Sequence, residues 1–415
     1  MAKGKSKDSK DNEEEVSVKI AKEFGFTLVN DSQYSHIDNI IPTFLPQIDK
    51  LMGGGIPLQR ITEVFSPSGV GKSTFMIELT KACSQLSIPT YYIDGEGTAD
   101  RTRFSELGVD PSKTYVATTK GDSDMTMEYA GGLLLDVIEA YRGKKDPLVI
   151  IFDSIGGIPT QVELDNPLDK EIQRGRKAKA VTDLVTKLTP LVKKTNVAVI
   201  FINQVRANQN MMNKYDKKYI RPGGNALDFS DSLRLELVKG TKIKDDDHIE
   251  IGHTMHVLVD KSKVSRPHRK DDTWIFSRPE LTTSKLVYSD FPEFEKPVDK
   301  EDTDHISFYV DGIDYEYNLF SYAKSVNIIV SSGGYRKYID QETGEEIAEY
   351  FENDFLFLLK QNYNNLRTRL FKDVLINVFP TYFPPLDNAD VDVTTWPDMT
   401  GIKEYYEALN KSDKK

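Results

Sequence analysis

Eight consecutive residues, Ser66-Pro67-Ser68-Gly69-Val70-Gly71-Lys72-Ser73, have the composition of a loop that cradles phosphate. They follow an apolar run, Ile61 to Phe65, and precede a helical pattern, Thr74 to Leu86, and the motif requires that strand–loop–helix context. In such a turn successive backbone N–H groups and a helix start point at the anion. Lys72 adds a positive charge at the β- and γ-phosphates, and the Ser73 hydroxyl suits Mg²⁺. ATP with Mg²⁺ is the cofactor set this implies, held by Ser66, Pro67, Ser68, Gly69, Val70, Gly71, Lys72, Ser73 and Thr74. One departure stands out. The first position of G-x-x-x-x-G-K-[ST] is Ser66, which serine tolerates poorly if the site needs a positive φ.

Three further strand ends carry groups suited to phosphoryl chemistry. The apolar run Leu148 to Phe152 ends in Asp153-Ser154, about eighty residues after the loop. Asp153 can hold Mg²⁺ directly or through water, or it can simply cap a following helix. Asp94-Gly95-Glu96 follows another strand pattern; Glu96 is the candidate base that orients water, with Asp94 weaker, and a turn acid is the alternative. Phe201-Ile202-Asn203-Gln204 ends the next apolar run, and the Gln204 amide has N–H donors for a γ-phosphate oxygen.

Gln204 leads into a long loop, Val205 to Pro222, which carries Arg206, Lys214, Lys217, Lys218 and Arg221. Met211, Met212, Tyr215 and Tyr219 lie between those cations. Cations for phosphates with aromatic and apolar side chains for bases describe an element that binds single-stranded nucleic acid; a plain surface loop is the alternative. A second segment, Thr160 to Gly175, precedes a basic helix start with Arg174, Arg176, Lys177 and Lys179, although Glu163, Asp165, Asp169 and Glu171 weaken its first half. His253 and His256 sit three apart in a strand pattern, on opposite faces, and are no metal pair.

These residues need a scaffold that brings strand ends to one edge. Tyr91–Ile93, Leu148–Phe152 and Val197–Ile202 read as apolar strands, and Met125–Tyr141 and Ala178–Lys194 as helices between them. That alternation predicts an α/β fold with a mainly parallel sheet covered on both faces. Leu233–Val238 and His253–Val259 alternate apolar and polar, which predicts an antiparallel extension. The expected organisation is a tail and arm over residues 1–40, a core over 41–316 with an acidic insertion at 270–305, and a small α+β C-terminal domain over 317–415.

Composition narrows the class. The chain has 415 residues, 39% hydrophobic, with 54 basic and 65 acidic side chains for a net charge of −11. Charge is uneven: Lys170–Arg221 holds thirteen Lys/Arg against three acids, whereas Lys270–Glu316 holds five against thirteen. A basic segment in an acidic protein points to a local polyanion site, or to a solvated basic face. No apolar run reaches 18 residues, the N-terminus lacks an apolar signal-like centre, and Cys83 is the single cysteine. Together these predict a protein of a reducing cytoplasm.

In order and spacing these motifs resemble the RecA-type recombinases, phage-encoded members in particular. The matching stretches are Pro57–Glu63, Ile93–Glu96 with Leu107–Asp110, Asp153-Ser154, Phe201–Arg206, Gly223-Gly224-Asn225-Ala226-Leu227, Lys261-Ser262-Lys263 and Gly333–Tyr338. The resemblance implies a RecA-type P-loop ATPase core that assembles as a helical filament on single-stranded DNA. It would hydrolyse ATP in a DNA-stimulated way and pair that strand with homologous double-stranded DNA. By the same resemblance Lys261 and Lys263 reach a neighbour's nucleotide, Asp100 and Arg103 stand at adenine-contacting positions, Gly223, Gly224 and Asn225 close the second DNA loop, and residues between Val16 and Leu28 dock on the adjoining protomer. A host cytoplasm, if the protein is viral, and single-strand-binding and mediator proteins as partners belong to the same expectation. A ring helicase on the same core, or an ATP-binding loader of a recombinase, are the alternatives.

Overall fold

The most apolar runs of the chain become adjacent strands. The computed structural model describes residues 23–24 and 40–378, apart from 96, 98–99, 118–123, 166–174, 208–218, 224–225, 246, 266, 268, 278, 297–303 and 341–342. Six strands run parallel: β1 (Ile61–Ser66), β2 (Thr90–Asp94), β3 (Thr114–Val116), β4 (Leu148–Asp153), β5 (Val197–Gln204) and β6 (Leu233–Lys244). Antiparallel strands β7 (Glu250–Ser262), β8 (Lys270–Phe276) and the two-residue β11 (Gly312–Ile313) extend the sheet to nine, in the order β11-β8-β7-β6-β1-β5-β4-β2-β3.

Alternation along each strand builds two cores. In β4, Val149 and Ile151 enter one apolar cluster while Leu148, Ile150 and Phe152 enter the other. Helix α2 (Lys72–Gln85) covers the first face with Phe75, Met76, Leu79 and Cys83. Helices α4 (Met127–Ala140) and α5 (Arg176–Val192) cover the second with Leu134, Ile138, Leu184 and Leu188. Each such fully buried side chain contributes about 1.5–3 kcal/mol relative to exposure, so both faces of the central strands are tightly specified. The Cys83 thiol is buried, which pushes its pKa up to about 12 and fits a packing role.

Two expectations shift. Lys270–Phe276 reads as the start of an acidic excursion but is strand β8 of the main sheet. The excursion occupies Ser277–Asp311, leaving and returning at the paired residues Phe276 and Gly312. It contains its own ribbon, β9 (Glu280–Val287) against β10 (His305–Tyr309). The boundary expected at 316/317 falls inside helix α7 (Tyr315–Ser325). Beyond it lie a small sheet of β12 (Ile329–Ser332), β13 (Tyr335–Ile339) and β14 (Glu346–Phe351), then helices α8 (Glu352–Lys360) and α9 (Leu366–Val378). Buried residues from this stretch, including Leu319, Phe355 and Leu370, belong to the same apolar cluster as α2.

The return of the excursion is pinned by a carboxyl group on α2. Glu78 is buried and accepts from Ile313 N at 3.2 Å, with Lys81 Nζ 3.7 Å away. Burial pushes its pKa from 4.5 up to about 7. The folded state therefore keeps a proton that the unfolded chain releases, so this stabilisation is complete below about pH 4.5 and is lost as pH rises through about 7. Glu78→Gln is expected to remove about 3 kcal/mol of pH-dependent change over that window, read from urea unfolding at a series of pH values. Parallel wild-type and variant curves would contradict the assignment.

Candidate functional site

The phosphate-loop pattern resolves into a turn that two glycines make possible. Ser66 closes β1, is buried, and is not among the residues with positive φ, so the missing glycine of the pattern causes no strain. Gly69 (φ 74°) and Gly71 (φ 114°) carry the left-handed conformations instead. A Cβ on Gly71 would also lie 2.5 Å from Ile275 Cδ1. No side chain caps the N-terminus of α2, which leaves its first N–H groups pointing into the turn. Lys72 Nζ donates to Ser66 O (3.2 Å), Ser66 Oγ (3.1 Å) and Pro67 O (2.9 Å), oxygens that a phosphate can replace.

The turn forms the floor of a cavity of about 670 Å³, at the edge where β1, β4 and β5 end. Lys72, Ser73, Asp153 and Gln204 are among the nine sequence-predicted site residues that line it together. Asp153 is only 4% exposed and accepts from Tyr92 Oη at 2.8 Å. Asp94 is its register partner on β2. Glu96, the candidate base, lies outside the described residues, two positions beyond Asp94. Among the described residues no group of three acidic, His or Cys side chains could hold a metal alone. Ser73 and Asp153 are a donor pair suited to Mg²⁺ that also binds nucleotide phosphates.

Arg103, His253 and Asp311 line the cavity beyond the turn. His253 Nε2 contacts Val70 O at 3.1 Å, and His256 instead pairs with Asp272, so the two histidines serve different neighbours. Asp100 caps α3 (Arg101–Glu106), its Oδ1 accepting from Thr102 N at 2.9 Å, and does not line the cavity.

The long loop leaves the sheet through a narrow neck in which Arg206–Ala207 pairs with Tyr219–Ile220. Lys214, Lys217 and Lys218 lie outside the described residues, as do Arg174, Gly224 and Asn225. Arg176 is exposed at the start of α5, and Lys177 donates to Gly156 O at 3.0 Å. Arg221, expected to face DNA, turns inward. Its NH1 donates to Glu63 Oε2 at 2.7 Å, its NH2 bonds Asp228, and its guanidinium lies over the Phe65 ring. The buried carboxylate of Glu63 attracts it more strongly than a solvent-facing position would.

Glu63 also receives Arg234 Nε at 3.0 Å and Asn203 Nδ2 at 3.0 Å. Burial pushes the Glu63 carboxyl up, opposed by Arg221, Asn203 and Arg234. Asn203 donates to Pro222 O at 3.0 Å as well, and Arg234 continues to Asp231 (2.7 Å) and Asp260 (3.1 Å). Lys261 Nζ donates to Asp228 O (2.6 Å) and Asp231 Oδ1 (2.5 Å), and Lys263 Nζ to Phe229 O (3.3 Å). Burial and the nearby Lys261 charge lower the Lys263 pKa. Sequence reading missed Glu63, Arg234, Asp228 and Asp231; a lone acid inside the apolar run Ile61–Phe65 was the available signal.

Comparison with known proteins points to one family. The family model described as the RecA N-terminal domain matches residues 13–278. Protein RecA of Campylobacter lari is 30% identical over 244 residues, 58% of this chain and 67% of that protein. Protein RecA of Nitratidesulfovibrio vulgaris is 30% identical over 241 residues, covering 58% and 64%. Protein RecA of Francisella tularensis subsp. novicida is 26% identical over 342 residues, covering 81% and 83%.

Removing the central carboxylate would leave two guanidinium groups without their shared buried partner. Glu63→Ala is expected to cost about 3–5 kcal/mol, measured by urea or thermal unfolding. A loss below about 1 kcal/mol would mean that the network carries little of the fold.

Proposed function

Because this chain belongs to the RecA family, we propose that it is an ATP-dependent DNA recombinase whose nucleotide site is completed by a neighbouring protomer in a filament on single-stranded DNA. The observation that carries this reading is the position of Lys261 and Lys263. Antiparallel β7 places His253 beside the phosphate loop and Ser262 level with Thr62, at the far end of β1. Lys263 N bonds Ser232 O, and Ser232 N bonds Ile61 O, five residues or about 16 Å of strand from Ser66. A lysine side chain cannot span that distance, so the pair does not serve the phosphate loop of its own protomer, and in the proposed filament Lys261 and Lys263 exchange their bonds to Asp231 and Phe229 O for the neighbour's nucleotide.

In this scheme the loop N–H groups and Lys72 hold the phosphates, while Ser73 and Asp153 are the residues that would hold Mg²⁺, whose positive charge would offset the negative charge that develops on transfer. Glu96 orients the attacking water, Gln204 donates to the γ-phosphate, and the neighbour's Lys261 and Lys263 take the place of an arginine finger. Lys214, Lys217 and Lys218, with Arg206 and the basic start of α5, supply the cations for the DNA backbone, and the Met and Tyr residues of the loop stack on bases. Arg221 anchors the returning end of that loop through Glu63 and Asp228.

Edge strand β3 supports assembly. Tyr115 and Val116 are 53% and 47% exposed, above a groove of about 180 Å³ lined by Tyr91, Ala117, Leu133 and Val137. An unpaired edge beside an apolar groove suits a segment of an adjoining protomer, and the stretch from Val16 to Leu28 is the one proposed to dock on a neighbour. No helix among the described residues is long and apolar enough to cross a membrane.

Single-stranded DNA is expected to raise the ATPase rate at least ten-fold; a rate indifferent to DNA would contradict the reading. Glu96→Gln should retain DNA binding in ATP while turnover falls about 100-fold or more, and full turnover would remove Glu96 from its role. Replacing Lys217 and Lys218 with alanine should lower the slope of log affinity against log salt by about 1.4, at about 0.7 per phosphate contact on single strands. An unchanged slope would place DNA elsewhere.

A further inference from the structure

The excursion Ser277–Asp311 is grafted onto the tip of the β8–β11 pair, and both of its end residues line the nucleotide cavity. Asp311 faces Arg103 across the cavity mouth as a two-bond fork: Arg103 NH1 donates to Oδ2 at 2.6 Å and NH2 to Oδ1 at 3.1 Å. Oδ1 also accepts from Gly312 N at 2.8 Å. Gly312 cannot be replaced freely, since at φ 68° a Cβ would lie 2.6 Å from Leu107 Cδ2 and 2.7 Å from Glu78 Oε1. The carboxylate is thus fixed from its own backbone side, and the guanidinium is fixed by the carboxylate, with Glu106 Oε2 a longer second contact at 3.4 Å.

The ribbon within the excursion is held by the C-terminal part of the chain. The Asp354 carboxylate on α8, 1% exposed, accepts from Ser284 N and Lys285 N of β9. Asn353 Nδ2 donates to Thr282 O at 3.0 Å. Phe291 and Phe308 pack on Phe357 with ring centroids 5.2 and 5.7 Å apart. β9 in turn pairs with β10, Leu281 opposite Phe308 and Glu280 opposite Tyr309, two residues before Asp311. A continuous run of contacts therefore joins α8 to the mouth of the nucleotide cavity.

We infer that Asp311 is a positioning residue for nucleotide: it locks the Arg103 guanidinium as a flat wall against which the purine base stacks, and the excursion held by Asp354 sets Asp311 in place. This rests on the reading of the cavity as a nucleotide site. The physical gain is preorganisation. An arginine that is already immobilised loses little side-chain freedom when a base packs on it, and a planar guanidinium suits stacking as an ammonium does not. The pair is partly solvated, with side-chain exposures of 31% and 19%, so its direct effect on fold stability is small.

The test is equilibrium binding of a fluorescent ATP analogue with Mg²⁺ to the full chain, with thermal melting as a control of folding. Asp311→Ala and Asp311→Asn are expected to weaken binding about ten-fold, equal to about 1.4 kcal/mol, without a matching loss of melting temperature. Asp311→Glu, which keeps the carboxylate, should return to within about three-fold of wild type. Arg103→Ala should weaken binding by a similar factor, and Arg103→Ala/Asp311→Ala no further than Arg103→Ala alone, because the two act as a unit. Asp354→Ala should weaken binding in the same direction. Full affinity in both Asp311→Ala and Asp311→Asn, or additive losses in the double variant, would overturn the inference while leaving a Lys72-dependent nucleotide site intact. Absence of Lys72-dependent binding in the wild type would overturn the site reading and this inference together.

Discussion

The Glu63 carboxylate, 1% exposed in the middle of a parallel sheet, is the constraint around which the site is arranged. A buried charge of this kind is tolerated only when its partners are close and well oriented. Here they come from three places: Asn203 on the neighbouring strand, Arg221 at the return of the long loop, and Arg234 on β6. Through Arg234 and Asp231 the same network reaches Lys261. The loop proposed to hold DNA and the lysine proposed to serve a neighbour's nucleotide are therefore tied to one carboxylate, three residues before the phosphate loop begins.

Strand alternation then supplies a route between ligands. Gln204 lines the nucleotide cavity, whereas its neighbour Asn203 bonds Glu63 and the Pro222 carbonyl at the loop's exit. Successive residues of a strand face opposite ways, so a shift of the β5 end that brings Gln204 to a phosphate also moves the group that anchors the loop. Val205 N bonds Ser66 O, which couples this strand end to the phosphate loop as well. A coupling between the proposed nucleotide and DNA sites would need no long pathway, since Gln204 and Asn203 are adjacent residues of one strand.

The sequence was most informative where the chemistry is contiguous. Residues 66–73 could be read as a phosphate loop because its glycines, lysine and serine are neighbours in the chain, and the apolar runs of β4 and β5 are long enough to identify as buried parallel strands. Ser66 looked anomalous only because the pattern does not say which of its positions needs a positive φ; Gly69 and Gly71 do. The Glu63 network was hidden because its members, from Glu63 to Lys261, lie up to about 200 residues apart. Arg221 was misleading for the same reason: a cation in a basic loop reads as a DNA contact until a buried acid elsewhere in the chain is known to claim it. Lys270–Phe276 was misread as excursion because its acids mask a regular strand alternation, and Asp311 gave no local signal at all.

The claim that two protomers build one catalytic site is tested most directly by mixing two inactive variants. Lys72→Ala keeps the lysine pair and loses its own phosphate contact, whereas Lys261→Ala/Lys263→Ala does the reverse. Assembled together at equal amounts on single-stranded DNA, they should recover roughly a quarter of the wild-type ATPase rate, the share of interfaces that random assembly completes. A mixture no more active than either variant alone, with both present in the same filaments, would contradict a site shared between neighbours.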